Sequence, residues 1–511
     1  MTRIKAWKLA FALFAVCIAT STLLPAQTLT PLFSFSGSDG NYPEASLVQG
    51  TNGNLYGTTQ AGGTNLSNCV NGGCGTVFSL TPAGALTTLY DFCARANCDD
   101  GTYPFASLLL TENGSFYGTT YGGGRVKLDC NNDGCGTMFR INPAGNLNTI
   151  YNFCSQKCAD GAGPEAALVQ GADGNLYGTV AYGGGSSDGG IVFTMDPTGA
   201  LTTLYTFCSQ PSCYDGQLPY APLVQASDGS FYGTTFGGGL TSNQEPCHTD
   251  GCGTVFKITR SGTLTTLYRF CSQPSCTDGT NPSGGLLQAS DGALYGMAGY
   301  GGAHGYGTVF RITRQGKFET LHSFTRSDGE TPVAGLIQGT DGNLYGTTAY
   351  GGKNYDFKNH ILGGTLFQIS PAGKYTVVYN FCGETNCTDG EVPESGLFQS
   401  TNGIIYGTTF FGGSSSNCYS GCGTVFSLNV GAGPFVSFVR DAGRPGQTGG
   451  ILGQGFTGTT DVSLNGTPAS FTVVSDTYIK ATIPQGATSG YVTVTTPTGV
   501  LTSNVPFTVL P

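Results

Sequence analysis

Apolar and polar residues alternate along this chain in short bursts separated by turns of Gly, Asn, Asp and Pro. The first set runs Ala45-Ser46-Leu47-Val48, Asn54-Leu55-Tyr56-Gly57-Thr58-Thr59, Thr76-Val77-Phe78-Ser79-Leu80 and Leu86-Thr87-Thr88-Leu89-Tyr90-Asp91-Phe92. Period-two alternation of β-branched and aromatic residues between such turns predicts strands, and the Asn-Gly and Pro-x-Gly turns predict hairpins. The same four-strand unit recurs seven times. Its landmarks are Asp-Gly-x-x-Pro (from Asp39 to Asp389), Tyr-Gly-Thr-Thr or a variant (Tyr56 to Tyr406) and Gly-Thr-Val-Phe or a variant (Phe78 to Phe426), with successive Asp positions 50 to 63 residues apart.

Four strands in a unit of about this length suit a propeller blade. A fourth-strand pattern stands alone near the start, Leu29-Thr30-Pro31-Leu32-Phe33-Ser34-Phe35, and the seventh unit stops after its third strand at Leu428. A ring closed by the early strand explains both ends and removes an open sheet edge. The expected fold is all-β: a seven-bladed β-propeller closed by an N-terminal strand. Loops after the second strand and between units then share one face and carry the length variation, as at 239–251 and 353–360. After Gly431-Ala432-Gly433 the repeat gives way to a different strand rhythm. The expected organisation is an export signal at 1–26, the propeller at 27–431 and a separate β-sandwich at 434–511.

Composition narrows this further. Of 511 residues 83 are Gly and only 10% are charged, which disfavours helical bundles, while hydrophobics at 39% disfavour disorder. The basic start Arg3, Lys5 and Lys8, the apolar run Leu9 to Ile18 and the exit Leu24-Pro25-Ala26 read as a secretory signal, too short to span a membrane. Its removal leaves 31 acidic residues against 18 basic ones. Such an acidic chain without a basic cluster argues against nucleic acid and anionic membranes as partners. The mature protein is expected to be a secreted or surface-associated monomer (a periplasmic location fits as well) with no transmembrane segment.

Apart from Cys17, the cysteines fall in close pairs within single loops: Cys69/Cys74, Cys93/Cys98, Cys130/Cys135, Cys154/Cys158, Cys208/Cys213, Cys247/Cys252, Cys271/Cys276, Cys382/Cys387 and Cys418/Cys422. Pairs that come and go together in an exported chain predict nine disulfides within loops. Zinc is the alternative, with four ligands drawn from two loops. No other metal is expected: Asp129-Cys130-Asn131-Asn132-Asp133-Gly134 opens like a calcium loop, but Arg140 stands where its closing Glu belongs. No Ser/His/Asp, Walker or dinucleotide motif is present, so no cofactor is expected.

Two sets of residues are candidates for chemistry. The residue after each repeat proline is Glu44, Phe105, Glu165, Tyr220, Ser283, Val333 or Glu394, and these should stand at the loop-face mouth of the central channel. Glu44 and Glu394 fall in adjacent units and could flank a glycosidic bond, although solvated carboxylates are the commoner outcome. Aromatics before each Gly-Gly, namely Tyr121, Tyr182, Phe236, Tyr300, Tyr350, Phe410 and Phe411, could stack on sugars or pack between blades. The repeated Asp reads as a turn cap.

With these landmarks, 29–428 resembles the bacterial extracellular tandem repeats called GloVer, which implies an exported bacterial protein and carries over no catalytic residue. Pro434-Phe435-Val436-Ser437-Phe438, Gly453-Gln454-Gly455-Phe456, Val462-Ser463-Leu464-Asn465-Gly466 and Ile479-Lys480-Ala481-Thr482-Ile483-Pro484 resemble IPT/TIG domains. That resemblance implies an Ig-like β-sandwich, used in bacterial surface proteins as a spacer or binding module. The expected function is non-catalytic binding or adhesion, with stapled loops on one face presented to a glycan or a surface protein. The alternative is a propeller hydrolase or lyase acting on polysaccharide through carboxylates at the channel mouth.

Overall fold

The computed structural model describes residues 28–65, 69, 72–125, 130, 134–185, 188–240, 247 and 250–510. The export signal expected at 1–26, and Asp129, Asn131 and Asp133, lie outside the described residues. The chain is all-β. Among the described residues the repeats form seven four-stranded antiparallel sheets, the first ordered Val48–Gln49, Leu55–Thr59, Thr76–Leu80 and Leu86–Asp91. The innermost strand pairs over only two residues. The residues before it, expected as strand, run extended without a ladder: Ala45 and Leu47 turn into the core while Glu44 and Ser46 face a central cavity.

The strand Thr28–Ser34 completes the last sheet. It pairs antiparallel with Thr424–Asn429, outside Ile405–Thr409 and Phe398–Gln399.

Both faces of each inner sheet are covered, so Leu55–Thr59 and Thr76–Leu80 are buried at every position. The landmark residues supply the covering contacts. Phe in the middle of the third strand lies across the glycine of Tyr-Gly-Thr-Thr: a Cβ on Gly57 would stand 2.7 Å from Phe78 Cζ and 2.8 Å from Leu47 Cδ2, and Gly118, Gly178 and Gly233 meet the same obstacle. That Phe also meets, edge to face, the Phe that follows the fourth strand of the preceding sheet. The pairs are Phe92–Phe139, Phe153–Phe193, Phe207–Phe256, Phe270–Phe310, Phe324–Phe367 and Phe381–Phe426, with centroids 5.1–5.8 Å apart. Phe35 makes the seventh such contact, 5.3 Å from Phe78, and so joins the last sheet to the first.

Polar groups repeat the closure. Thr58 Oγ1 donates to Ala106 O of the next sheet at 3.2 Å, and Thr408 Oγ1 of the last sheet donates to Pro43 O of the first at 2.8 Å. Gln49 in the first sheet accepts from Thr401 N in the last at 2.9 Å, as Gln225 accepts from Ala172 N at 2.8 Å. The arrangement is propeller-like. The repeated Asp is a loop cap: Asp100, fully buried, accepts from Tyr90 Oη at 2.8 Å, Ala94 N at 2.9 Å and Arg95 N at 3.2 Å. Where His322 replaces the tyrosine, its Nε2 lies 3.2 Å from Asp328 Oδ2.

Nine disulfides join the cysteine pairs: Cys69–Cys74, Cys93–Cys98, Cys130–Cys135, Cys154–Cys158, Cys208–Cys213, Cys247–Cys252, Cys271–Cys276, Cys382–Cys387 and Cys418–Cys422. Loops of four or five residues gain only about 2 kcal/mol each from such a staple, so the Phe contacts rather than the cysteines hold the sheets together.

The stapled loops carry local structure of their own. Ala96–Cys98, Pro211–Cys213, Pro274–Cys276 and Thr385–Cys387 each form one short turn of 3-10 helix, so Cys98, Cys213, Cys276 and Cys387 close helical turns. Pro211 and Pro274 preset the first φ of their turns. Ser212 (56°) and Ser275 (54°) then reverse the backbone, and Cys213 and Cys276 follow them into the left-handed region at 51° each. That reversal aims their carbonyls at the glycines beyond. Cys213 O accepts from Gly216 N at 2.8 Å and Gly239 N at 2.9 Å, and Cys276 O accepts from Gly279 N and Gly302 N, both at 2.9 Å. The zinc alternative fares worst at these two residues. The sulfurs of Cys247, Cys252 and Cys271 lie within 4.8 Å of one another, but Cys276 is not among them, and Cys208 and Cys213 join no such group among the described residues.

The C-terminal residues form two four-stranded sheets, one holding Thr448–Leu452 and Tyr478–Thr482, the other Asp461–Leu464 and Val492–Thr496. Val436, Ile451, Phe456, Val462, Ile479, Val494 and Phe507 fill the space between them. This unit docks on the turns after the first strands: Thr477 Oγ1 donates to Thr51 O at 2.8 Å, Gln454 Nε2 to Thr401 Oγ1 at 2.9 Å, and Arg440 Nη2 lies 3.4 Å from Glu112 Oε1.

Two outcomes test this account. Gly57→Ala should lower stability by about 1–3 kcal/mol through overpacking, and Phe78→Leu in the same chain should recover part of the loss, as read by a double-mutant cycle in chemical denaturation. Non-reducing peptide mapping should recover nine linkages, each within one loop.

Candidate binding site at the axial cavity

The segment entering each inner strand begins with a strained step. In six repeats the residue before the proline is a non-glycine with positive φ: Tyr42 (57°), Tyr103 (56°), Leu218 (56°), Asn281 (54°), Thr331 (55°) and Val392 (57°). Bonds to the preceding sheet and to the residue's own sheet hold the conformation. Tyr103 N donates to Cys74 O at 2.9 Å, and Tyr103 O accepts from Tyr121 N at 3.0 Å. A left-handed residue followed by proline reverses the chain sharply, and the next side chain then points toward the axis.

The post-proline residues accordingly converge. A cavity of about 290 Å³ lies where all seven inner segments meet, and Glu44, Phe105, Glu165, Ser283 and Val333 line it with Ser46, Ser107 and small backbone-exposing residues. Glu394 lies beside it, within electrostatic reach of Glu44. The expected pair is therefore a trio: Glu165, from the third sheet, acts on Glu44 as well. No Lys, Arg or His is among the described residues lining the cavity. Burial, then the charges of Glu394 and Glu165, push the Glu44 carboxyl up to about 8. Burial alone raises Glu165 and Glu394 to about 7. The three titrate as a coupled set.

The aromatics occupy two alternating positions rather than one ring position. Tyr121, Phe236 and Phe410 directly follow the second strand. Tyr182, Tyr300, Tyr350 and Phe411 stand one residue further on, where their backbones bridge to Ala162, Thr280, Glu330 and Glu391. Both sets reach the post-proline side chains. Tyr121 packs edge-on against Phe105 at 5.5 Å, and Phe236 against Tyr220 at 5.5 Å. The Tyr182 and Tyr220 hydroxyls are 2.9 Å apart, close enough to Glu165 for its charge to raise both phenols after burial has done so. Tyr300 and Tyr350 face Glu394, and burial followed by that charge pushes Tyr350 up to about 12. Tyr42 was not singled out from the sequence, yet it stacks on Phe410 at 4.5 Å. Its signal was the Asn-Tyr-Pro context shared with Thr-Tyr-Pro at Tyr103.

The variable loops surround this mouth. In the second repeat the sulfurs of Cys130, Cys135, Cys154 and Cys158 lie within 4.8 Å of one another, so two stapled loops abut. His304 and His360 are exposed on other loops, and His248 lies outside the described residues. A second cleft, between the C-terminal sheets around Phe438, Ile451 and Phe507, is apolar and only about 30 Å³, which makes it a packing void.

The family description Gloeobacter/Verrucomicrobia repeat matches residues 19–245 and 184–426. No curated protein matches the chain. Among solved structures, a crystal structure of a protein assigned as a gluconolactonase aligns at 14% identity over 63% of this chain and 89% of its own, with a TM-score of 0.36.

A raised carboxylate carries a definite pH signature. Below the ordinary value of 4.5, Glu44 is neutral in both folded and unfolded chains. As pH rises from there toward 8, the unfolded chain releases a proton that the folded chain keeps, so stability falls. Glu44→Gln should therefore raise the melting temperature at pH 8, by the equivalent of on the order of 4 kcal/mol, and leave it unchanged at about pH 3, as measured by calorimetry at the two pH values.

Proposed function

The chain belongs to the Gloeobacter/Verrucomicrobia repeat family, and from that footing we propose that it is an exported, non-catalytic binding protein that takes a glycan at the loop-face mouth of its axial cavity. On this reading 1–26 is the export signal, 27–431 a closed seven-bladed β-propeller, and 434–511 an IPT/TIG-type Ig-like spacer. The observation that carries the proposal is the convergence of seven inner segments on one cavity rimmed by flat rings and lined by carboxylates and serines. Aromatic faces stack on the C–H faces of sugar rings, and the acceptors between them bind hydroxyls.

Binding fits this site better than hydrolysis. A glycosidase holds one carboxyl protonated and the other ionised, so the two environments must push the pKa values apart. Here Glu44 and Glu165 share one wall in which no Lys, Arg or His among the described residues sets either apart as the ionised member. The stapled loops give the mouth a rigid rim, which lowers the ordering cost of binding.

A glycan array run beside a pull-down from bacterial surface extract tests the reading. Bound glycans are expected, with affinity falling on the order of tenfold when Tyr121→Ala and Phe236→Ala remove two of the stacking faces. Turnover of a polysaccharide by the purified protein, lost in Glu44→Gln or Glu394→Gln, would replace this proposal with the enzymatic one.

A further inference from the structure

Three repeats carry one cysteine pair in the loop after the second strand and another in the loop that leaves the sheet, and there the two staples lie side by side. In the first and fourth repeats only three sulfurs gather: those of Cys69, Cys74 and Cys98, and those of Cys247, Cys252 and Cys271. In the second repeat all four do. The sulfurs of Cys130, Cys135, Cys154 and Cys158 lie within 4.8 Å of one another.

The difference traces to one residue. The staples leaving the first, third, fourth and sixth sheets each span five positions and close a turn of 3-10 helix. Cys154–Cys158 spans four, and none of its residues is helical. With that turn deleted, the sulfur of Cys158 joins the cluster that Cys98 leaves without Cys93 and Cys271 leaves without Cys276. Backbone bonds hold these loops independently of the sulfur bonds. Cys158 O accepts from Gly161 N at 3.1 Å and Gly184 N at 2.7 Å, and Cys135 O accepts from Gly163 N at 2.8 Å. Asp160, itself buried, accepts from Ser155 N and Gln156 N, both at 3.0 Å.

Four sulfurs with no His, Asp or Glu in the group form a soft ligand set that suits tetrahedral coordination. A zinc ion bound at about 2.3 Å sets its sulfurs about 3.8 Å apart, a separation the cluster can take up once both staples open. The spacings Cys-x4-Cys and Cys-x3-Cys fall within those of structural zinc sites. Cys135 and Cys154 are buried, whereas Cys130 and Cys158 are half-buried and leave a side for entry.

We infer that the second repeat holds a two-state site: two disulfides when oxidised, and four thiolates around a zinc-type cation when reduced. Each staple accepts an electron pair and two protons from two thiols of an external monothiol such as glutathione, which leave joined as its disulfide. The cation then displaces the four cysteine protons and accepts a lone pair from each sulfur. A bound ion ties the two loops to each other, where the disulfides tie each loop only to itself.

The test equilibrates the oxidised full-length protein in glutathione buffers of rising reducing strength, with and without zinc ion, followed by alkylation and peptide mapping. Zinc should lower the reducing strength needed to open Cys130–Cys135 and Cys154–Cys158 by at least about tenfold. It should leave Cys208–Cys213, which joins no such group, where it was. Cobalt(II) in place of zinc should show the visible absorption of tetrahedral thiolate coordination as those two staples open. Replacing Lys157 by Pro-Ser copies the loop of Cys208–Cys213, keeps both staples and should abolish the zinc-dependent shift. An opening point that zinc does not move would overturn the site. An equal shift at Cys208–Cys213 would do so too, because any opened pair would then chelate. A shift that survives the Pro-Ser replacement would remove the shortened loop as its origin and overturn the assignment to this cluster.

Discussion

Everything in the ring depends on one contact: a phenylalanine laid across a glycine. The Phe of the third strand takes the space that a Cβ on the second strand would fill, as Phe78 does over Gly57. The inner sheets can then pack closely enough for that same Phe to meet the Phe of the sheet before it. The two landmark motifs are halves of one contact, which is why they recur together. Because Phe35 supplies the partner of Phe78, the contact also explains why an N-terminal strand completes the last sheet. Buried threonines and glutamines add directional bonds at the same junctions, and these fix rotation where apolar packing alone would permit slippage.

Such a frame leaves one residue per repeat without a structural duty. Proline and the left-handed residue before it make the turn, the alternate residues beyond it fill the core, and the side chain between them faces the axis. That position holds Glu, Phe, Glu, Tyr, Ser, Val and Glu in succession. A repeated scaffold thus presents an asymmetric lining, and the wall keeps the three carboxylates near one another despite the repulsion that Glu394 and Glu165 exert on Glu44. Strain is concentrated in the same place: six non-glycine residues with positive φ ring the mouth, each costing on the order of 1 kcal/mol, and neighbouring backbone bonds offset it.

Repetition made the fold legible and hid the site. Landmarks such as Asp100, Tyr56 and Phe78 recur because each makes the same local or sheet-to-sheet contact, and their spacing exposed both the four-strand unit and its division between the two ends. The cysteine spacing likewise gave the pairing, but not the helical turns that end at Cys213 and Cys276, because a single turn is too short to show a period. The site is built from positions where identity changes, so its geometry follows from the ring and not from any motif. The pair Glu44 and Glu394 was visible as neighbours in adjacent units, whereas the action of Glu165 on Glu44 spans separated sheets and needs three dimensions. The aromatics hide their geometry for a different reason. Aligned on the following Gly-Gly they look equivalent, but Tyr121 and Tyr182 differ by one residue in register, and a one-residue shift in an extended segment reverses the side chain. The short inner strand has a related cause: near the axis the sheets crowd together, leaving two residues to pair before the chain must face the cavity.

The placement of the C-terminal unit follows from the same division of faces. Its contacts fall on Thr51, Glu112 and Thr401, all in turns after first strands, on the side where the loops are short and uniform. Leu452 and Tyr478 extend the apolar cluster of Leu108 and Leu110 there, so the unit is seated by burial as well as by hydrogen bonds. The Arg440–Glu112 pair is partly desolvated, and geometry of that kind favours one seating over sliding alternatives more than it adds stability. Docked in this way, the unit makes its contacts on turns at the opposite end of the strands from the disulfide-stapled loops. Whatever it connects to, the cavity mouth with its carboxylates and rings remains turned away from the point of attachment.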